Sequence, residues 1–140
     1  MPIDETDRKI IAVLDRDASL THKEIAQRLQ MNESTVRKRI LALTKDKVIK
    51  FIIRINPSQL GFRAEAELGL DVEPSKNLEV GKILPNVPGV RMVFSTSGDH
   101  DFIVVIWAAD RDSLAKIMDQ LSAIDGVTKL NPSIIVERIK

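Results

Sequence analysis

The second half of the chain repeats itself at a spacing of thirty-seven residues, and few folds can accommodate such a repeat. "AELGLDVEP" reads as a strand, "SKNLEVGKIL" as a helix, and "NVPGVRMVFST" turns into a second strand. One repeat later, "FIVVIWAAD" is a strand, "RDSLAKIMDQL" a helix, and "AIDGVTKLNPSIIV" again turns into a strand. Glu73 matches Asp110, Val80 matches Ile117, Val87 matches Ile124, and Gly89-Val90 matches Gly126-Val127. Two βαβ units in tandem predict an α+β, ferredoxin-like βαββαβ domain over residues 63–140. Such a domain has a four-stranded antiparallel sheet with two helices on one face.

The strand patterns add a second constraint. The first strand alternates, with Ala64, Ala66, Leu68, Leu70 and Val72 on one face and Glu65, Glu67 and Asp71 on the other. The third does not, because Ile103, Val105 and Trp107 are as apolar as Phe102, Val104 and Ile106. A strand apolar on both sides is covered on both sides. The helices cover one face, and a second copy of the protein is expected on the other; the alternative is that the N-terminal part folds back over it. Between the second and third strands lies "SGDHD". It reads either as a Gly-containing hairpin turn or as a small-molecule loop, with backbone N–H groups on a carboxylate and an acid facing an ammonium group. His100 is a single imidazole with acids beside it, which does not make a metal site.

The first part of the chain is helical. Asp4 caps a helix that carries Asp7 three residues on and an apolar stripe of Ile10, Ile11 and Leu14. "THKEIAQRL" opens with the capping box Thr21…Glu24 and buries Ile25, Ala26 and Leu29. After a short turn, Asn32 is the expected cap of a third helix, on which Val36, Ile40 and Leu43 share one face. Ser34, Lys38 and Lys45 point away from that face, with Thr35 and Ala42 to one side, Arg37 and Leu41 to the other, and Arg39 at the edge of the core. Two short helices joined by a tight turn, the second apolar on one side and basic on the other, describe a helix-turn-helix over residues 1–48. Its second helix is expected in the DNA major groove, with small residues at base edges and basic ones at phosphates. Next, "VIKFIIRIN" is β-rich and is expected to be a linking strand within a hinge over 49–62, with Lys47 or Lys50 in a secondary phosphate role.

Charge follows the same division. Residues 1–56 hold twelve Lys/Arg against eight Asp/Glu, while 57–140 hold nine against twelve, although the whole chain nets only +1. Such asymmetry suits a nucleic-acid-facing part joined to one with another task. The N-terminus begins acidic, without the layout of a signal peptide, and no apolar run reaches membrane-spanning length, so a cytoplasmic, nucleoid-associated protein with no membrane partner is expected. Cysteine and tyrosine are absent, histidine occurs twice, and neither a P-loop nor a dinucleotide turn is present. An enzyme is therefore not expected, with no catalytic residue, metal or cofactor.

The succession "DETDRKII", "KEIAQRL", "NESTVRKRI", "SGDHD" and "DGVTKL" strongly resembles the Lrp/AsnC (feast/famine) family of transcriptional regulators over nearly the whole chain. The resemblance implies a winged-helix-like N-terminal domain, a linking strand, and a ferredoxin-like domain for effector binding and oligomerisation. It also implies dimers that join into tetramers or octamers, with an amino acid bound near Gly98. Carried over by position, Ser34, Thr35, Arg37, Lys38 and Arg39 would contact DNA. Gly98, Asp99, His100, Asp101 and Phe102 would hold the effector together with Asn131 and Ser133 from a neighbouring subunit. Two departures stand out: Asn32-Glu33 replaces the usual Ser-Pro, and His100 stands where an aromatic residue is common, which would alter ligand choice or make it pH-sensitive. The expected function is a sequence-specific regulator on pseudo-palindromic double-stranded DNA that responds to an amino acid or related small effector. The alternative is a nucleoid-type DNA-binding protein that needs no effector.

Overall fold

The computed structural model describes residues 2–140, which form two compact units dividing between Arg54 and Ile55. Each is described by itself.

The first unit contains α1 (Glu5–Arg16), α2 (His22–Leu29) and α3 (Glu33–Lys45). Their ends are fixed by side chains. Asp4 accepts from the Asp7 N–H at 2.9 Å while Asp7 accepts from the Asp4 N–H at 3.1 Å. Thr21 and Glu24 make the same reciprocal pair at the start of α2. Each box satisfies two of the orphan donors that every helix leaves at its N-terminus. Asn32 occupies the cap position of α3 but makes no side-chain cap bond, in contrast to the expectation from sequence. The inner faces of the helices meet in a core of Ile10, Leu14, Ile25, Ala26, Val36 and Ile40, with Val13, Leu20, Leu29, Met31 and Ile49 packed around it. Leu43 is also fully enclosed. Burying Val36, Ile40 and Leu43 contributes about 2 kcal/mol each, which fixes the rotation of α3 about its own axis.

The segment after α3 pairs with no strand of its own chain among the described residues. Residues 49–56 form no ladder, and Phe51, Ile52 and Ile53 are exposed. Their β-branched side chains favour extended backbone, but a strand exists only where another strand supplies its hydrogen bonds, and none of the described residues does so.

The second unit is the ferredoxin-like domain. Its elements run β1 (Ala64–Val72), α4 (Asn77–Ile83), β2 (Val90–Ser95), β3 (Phe102–Ala108), α5 (Arg111–Ser122) and β4 (Val127–Ile134). The sheet order is β2-β3-β1-β4, and every pair is antiparallel. The core runs through the inward residues of β1 and β3 and closes on Val80 from α4, on Leu84 just beyond it, and on Leu114 and Leu121 from α5. The internal repeat survives in the backbone: Gly89 and Gly126 both adopt left-handed φ, at 90° and 99°. A side chain at Gly89 would strike Ile117, and one at Gly126 would strike Lys76, so each glycine seats the end of one half against the other.

The opposite face of the sheet is unevenly covered. Trp107 is buried under Phe62, with ring centroids 5.8 Å apart. The Arg91 guanidinium lies 4.3 Å from the Trp107 centroid, and Glu65 accepts from the indole N–H at 3.1 Å. The chain thus covers one end of β3 itself, which the strand pattern alone did not foresee. Further along, Met92 and Phe94 are exposed and Ile103 and Val105 half-buried.

Candidate functional sites

The first candidate site is the outer face of α3. Ser34 and Lys38 are exposed and face away from the enclosed Val36, Ile40 and Leu43, and Thr35 is half-buried on the flank between. Arg37 is exposed and bonds Glu33 at 2.7 Å, one turn back along the helix. At such exposure the pair contributes a few tenths of a kcal/mol, so it restrains the guanidinium without removing it from other partners. Glu33 sits in the first turn, where the helix dipole favours an acid.

Arg39 departs from the rest. Its guanidinium bonds Asp4 at 2.6 Å and approaches Asp7 at 3.3 Å. Asp7 is completely buried, and its carboxylate is shared between the Asp4 N–H and Arg39. The carboxyl of Asp4 is held below its ordinary range first by the Asp7 N–H and then by Arg39, and Arg39 is pushed up mainly by Asp4. Arg39 therefore clasps the cap of α1 to the side of α3, and its geometry is that of a residue that positions the helix.

The second candidate site lies on the sheet face away from the helices. Here the sheet places Gly69 and Asp71 of β1 beside Asn131 and Lys129 of β4, with the loop of residues 96–101 at one end. The loop is tied down at several points. Thr96 N–H donates to the Asp101 carbonyl at 2.9 Å, and Thr96 Oγ1 donates to the His100 carbonyl at 2.7 Å. The Asp101 N–H donates to the Leu70 carbonyl, while the Asp101 carboxylate accepts from the Val72 N–H at 2.8 Å. Asp101 thus spends its polar groups on holding the loop to β1.

The result is a fixed imidazole. His100 Nδ1 lies 2.8 Å from Asp71 Oδ1, and an ionised carboxylate can only accept, so Nδ1 carries the proton. This bond is the main reason that the Asp71 carboxyl is held below its ordinary range. Asn131 Nδ2 donates to the Gly69 carbonyl at 3.1 Å and stands 3.4 Å from Nδ1. With Nδ1 already protonated, that last approach is a packing contact. The ring lies directly against Gly69, where any Cβ would overlap it. Gly69 leaves the space that the ring fills, and it and Asp71 are partners of His100 that sequence reasoning missed. A glycine inside an otherwise alternating strand was the available signal.

The other expected effector residues divide. Gly98 and Asp99 are exposed at the loop tip, and Ser133, opposite Glu67, is exposed on the same sheet face as Asn131. Phe102 points the other way, 4% exposed in the core, and its ring would meet a side chain at Gly81 of α4. Asn131 stands beside His100 of the same chain. Beside α4, a shallow depression of about 410 Å³ is lined by Asn77, Leu78, Lys82, Val93 and Ser95 among others. No helix of the described residues is long and apolar enough to cross a membrane, and among them no three His, Cys, Asp or Glu converge on a metal position.

Comparison with known proteins matches both units. Residues 3–50 fit a winged helix-turn-helix DNA-binding domain and residues 66–140 the Lrp/AsnC ligand binding domain. The HTH-type transcriptional regulator LrpA of Pyrococcus horikoshii is 42% identical over 99% of both chains. LrpA1 of Halobacterium salinarum is 35% identical over the full length of each. Among solved structures, E. coli AsnC superimposes with a TM-score of 0.85 at 19% identity, over 100% of this chain and 96% of its own. A feast or famine regulatory protein from M. tuberculosis, complexed with L-methionine, does so at 0.91 and 22% identity, over 99% and 95%. With the helix-turn-helix unit, the antiparallel sheet and these relatives in agreement, the chain belongs to the Lrp/AsnC family of transcriptional regulators, which are DNA-binding proteins and not enzymes.

Proposed function

We propose that the protein regulates transcription by sequence-specific binding of pseudo-palindromic DNA and that an amino acid or related small molecule controls this binding. The observation that carries the reading is the division of α3: Val36, Ile40 and Leu43 are enclosed while Ser34 and Lys38 stand in solvent. That division leaves a polar, cationic rod of groove-filling diameter with small residues at its leading end. Ser34 and Thr35 are assigned to base edges, and Lys38 and Arg37 to phosphates. Arg39 is assigned to orienting the helix.

The effector is assigned to the His100 face of the sheet. With Nδ1 turned to Asp71, the Nε2 edge of His100 is left for the effector, Asp99 adds a carboxylate for an ammonium group, and Asn131 and Ser133 supply amide and hydroxyl groups. Backbone N–H groups near Gly98 are assigned to the carboxylate. The L-methionine carried by the M. tuberculosis relative supports an amino acid as the ligand class. A second copy of the chain is the partner assigned to the apolar half of the same face, where Met92 and Phe94 are 45% and 53% exposed. The β-rich segment 49–56 is assigned to ladder pairing in the same assembly, whether dimer, tetramer or octamer. The assigned place of action is the cytoplasmic nucleoid.

Lys38→Ala should weaken binding to DNA and reduce the slope of log affinity against log salt by about one per recognition helix, at unchanged thermal stability. Unchanged affinity and slope would mean that α3 does not face DNA. Thermal shift against the twenty amino acids separates a regulator from an effector-independent nucleoid protein, since only the former gains stability with one or a few of them.

A further inference from the structure

The two ends of α3 share a backbone anomaly. Gln30 at φ 52° and Lys47 at φ 57° are the non-glycine residues with positive φ among the described residues, whereas the second unit uses glycine wherever φ is positive. This left-handed conformation crowds Cβ against the following carbonyl, and glycine adopts it without that penalty. Both residues terminate helices. The Gln30 N–H donates to the Ala26 and Gln27 carbonyls at the end of α2, and the Lys47 N–H donates to the Thr44 carbonyl at the end of α3. Glycine is the ordinary residue at such stops. Each position therefore keeps a long side chain at the expense of backbone strain, and strain that is kept points to a use for the side chain.

Nothing within the chain supplies that use. Both residues are exposed, and neither side chain has a hydrogen-bond or ion-pair partner among the described residues. On α3 itself Arg37 is engaged by Glu33 and Arg39 by Asp4 and Asp7, whereas Gln30 and Lys47, like the exposed Lys38, are not engaged among the described residues. The partner lies outside the molecule, and both groups are hydrogen-bond donors.

We propose that Gln30 and Lys47 are phosphate contacts that grip the DNA backbone beyond the two ends of α3, one through a neutral amide and the other through an ammonium charge. The inference rests on α3 being the DNA-facing helix. At thirteen residues α3 is about 20 Å long, against a major groove about 12 Å wide, so residues just beyond its ends overhang the flanking backbones.

The two chemistries predict different signatures. Counterion release follows charge, so Lys47 contributes to the salt dependence of binding and Gln30 does not. Phosphate contacts are blind to sequence, so sheared genomic DNA is a sufficient probe. The experiment measures affinity for it across a salt series, together with thermal midpoints, for Lys47→Gly, Lys47→Gln and Gln30→Gly, with Lys38→Ala as reference. The glycine variants should keep or raise the midpoint, since they relieve strain, and yet bind about three- to tenfold more weakly. Both Lys47 variants should lose about one unit of salt slope per helix, and Gln30→Gly none. Lys47→Gln retains the strained backbone and isolates the charge. Parental affinity in all three, with Lys38→Ala weakened, would overturn this inference alone. Parental affinity in Lys38→Ala as well would overturn the reading of α3 on which it rests.

Discussion

The two units use polar side chains for different purposes. In the helical unit the side-chain bonds of Asp4, Asp7, Thr21, Glu24 and Arg39 gather at helix ends and set where helices begin and how they lean on one another. In the sheet unit the ladder already fixes the strands, and besides the Asp110 cap of α5 its polar side chains form one cluster: Asp101 ties the loop, Asp71 and Asn131 frame His100. Disturbing polar groups should therefore cost fold integrity in one unit and ligand response in the other. Trp107 belongs to the sheet unit and is the chain's single tryptophan, so its emission follows that unit, while far-ultraviolet circular dichroism also follows the helical one.

The largest expected effect comes from the core of the helical unit. Ile40→Ala should remove about 3 kcal/mol from a unit of this size whose total stability is about 5 kcal/mol. Circular dichroism should then show an early helical transition with Trp107 emission intact, and DNA binding should fall with it. A single undivided transition would break the comparison, because the two units would then be unfolding as one.

Arg39→Ala should come next. It leaves the buried Asp7 carboxylate with one backbone donor, so the helical transition should drop by several degrees while the salt slope of DNA binding keeps its parental value. A slope reduced as in Lys38→Ala would return Arg39 to the DNA contacts.

Gly69→Ala reverses the pattern. Its methyl group would displace His100 at a stability cost of about 1 kcal/mol, reducing any amino-acid-induced thermal shift while affinity for DNA in the absence of ligand stays parental. An unaltered ligand response would remove His100 from the effector site.

The smallest effect is in acid. Asp4 has a folded pKa below its ordinary 3.8, so its contribution is present in full above that value and is lost as pH falls through the lowered one. The helical transition of the parent should lose stability below about pH 4 more steeply than that of Asp4→Asn, as read from thermal midpoints over a pH series. Equal acid responses would show that the Asp4 cap is not a source of this dependence.

Much of this was legible in the sequence because the decisive signals were local or periodic. Both capping boxes lie within three residues, the core face of α3 follows the helical period, and the repeat reproduces itself at a constant interval. What escaped was set by contacts distant in sequence. Arg39 could be placed at the edge of the core, but its partners, more than thirty residues away, could not be named from the sequence. Phe102 lies in a strand apolar on both faces, so alternation could not tell which side it would take. The run after α3 has strand composition, but composition does not supply a pairing partner. Asp71 was read as the solvent side of β1, and its role emerges only once the loop returns His100 to it across 29 residues.

The contact between Gly69 and His100 also bears on how this site can diversify. On the proposed effector reading, residue 100 is the natural place to change what the site accepts, yet its ring occupies the volume that a side chain at 69 would need. The two positions are thus bound to evolve as a couple: a bulkier group at 69 requires retreat at 100, and a smaller group at 100 leaves a hollow that 69 is free to fill. Libraries aimed at new ligand preference should randomise both codons together.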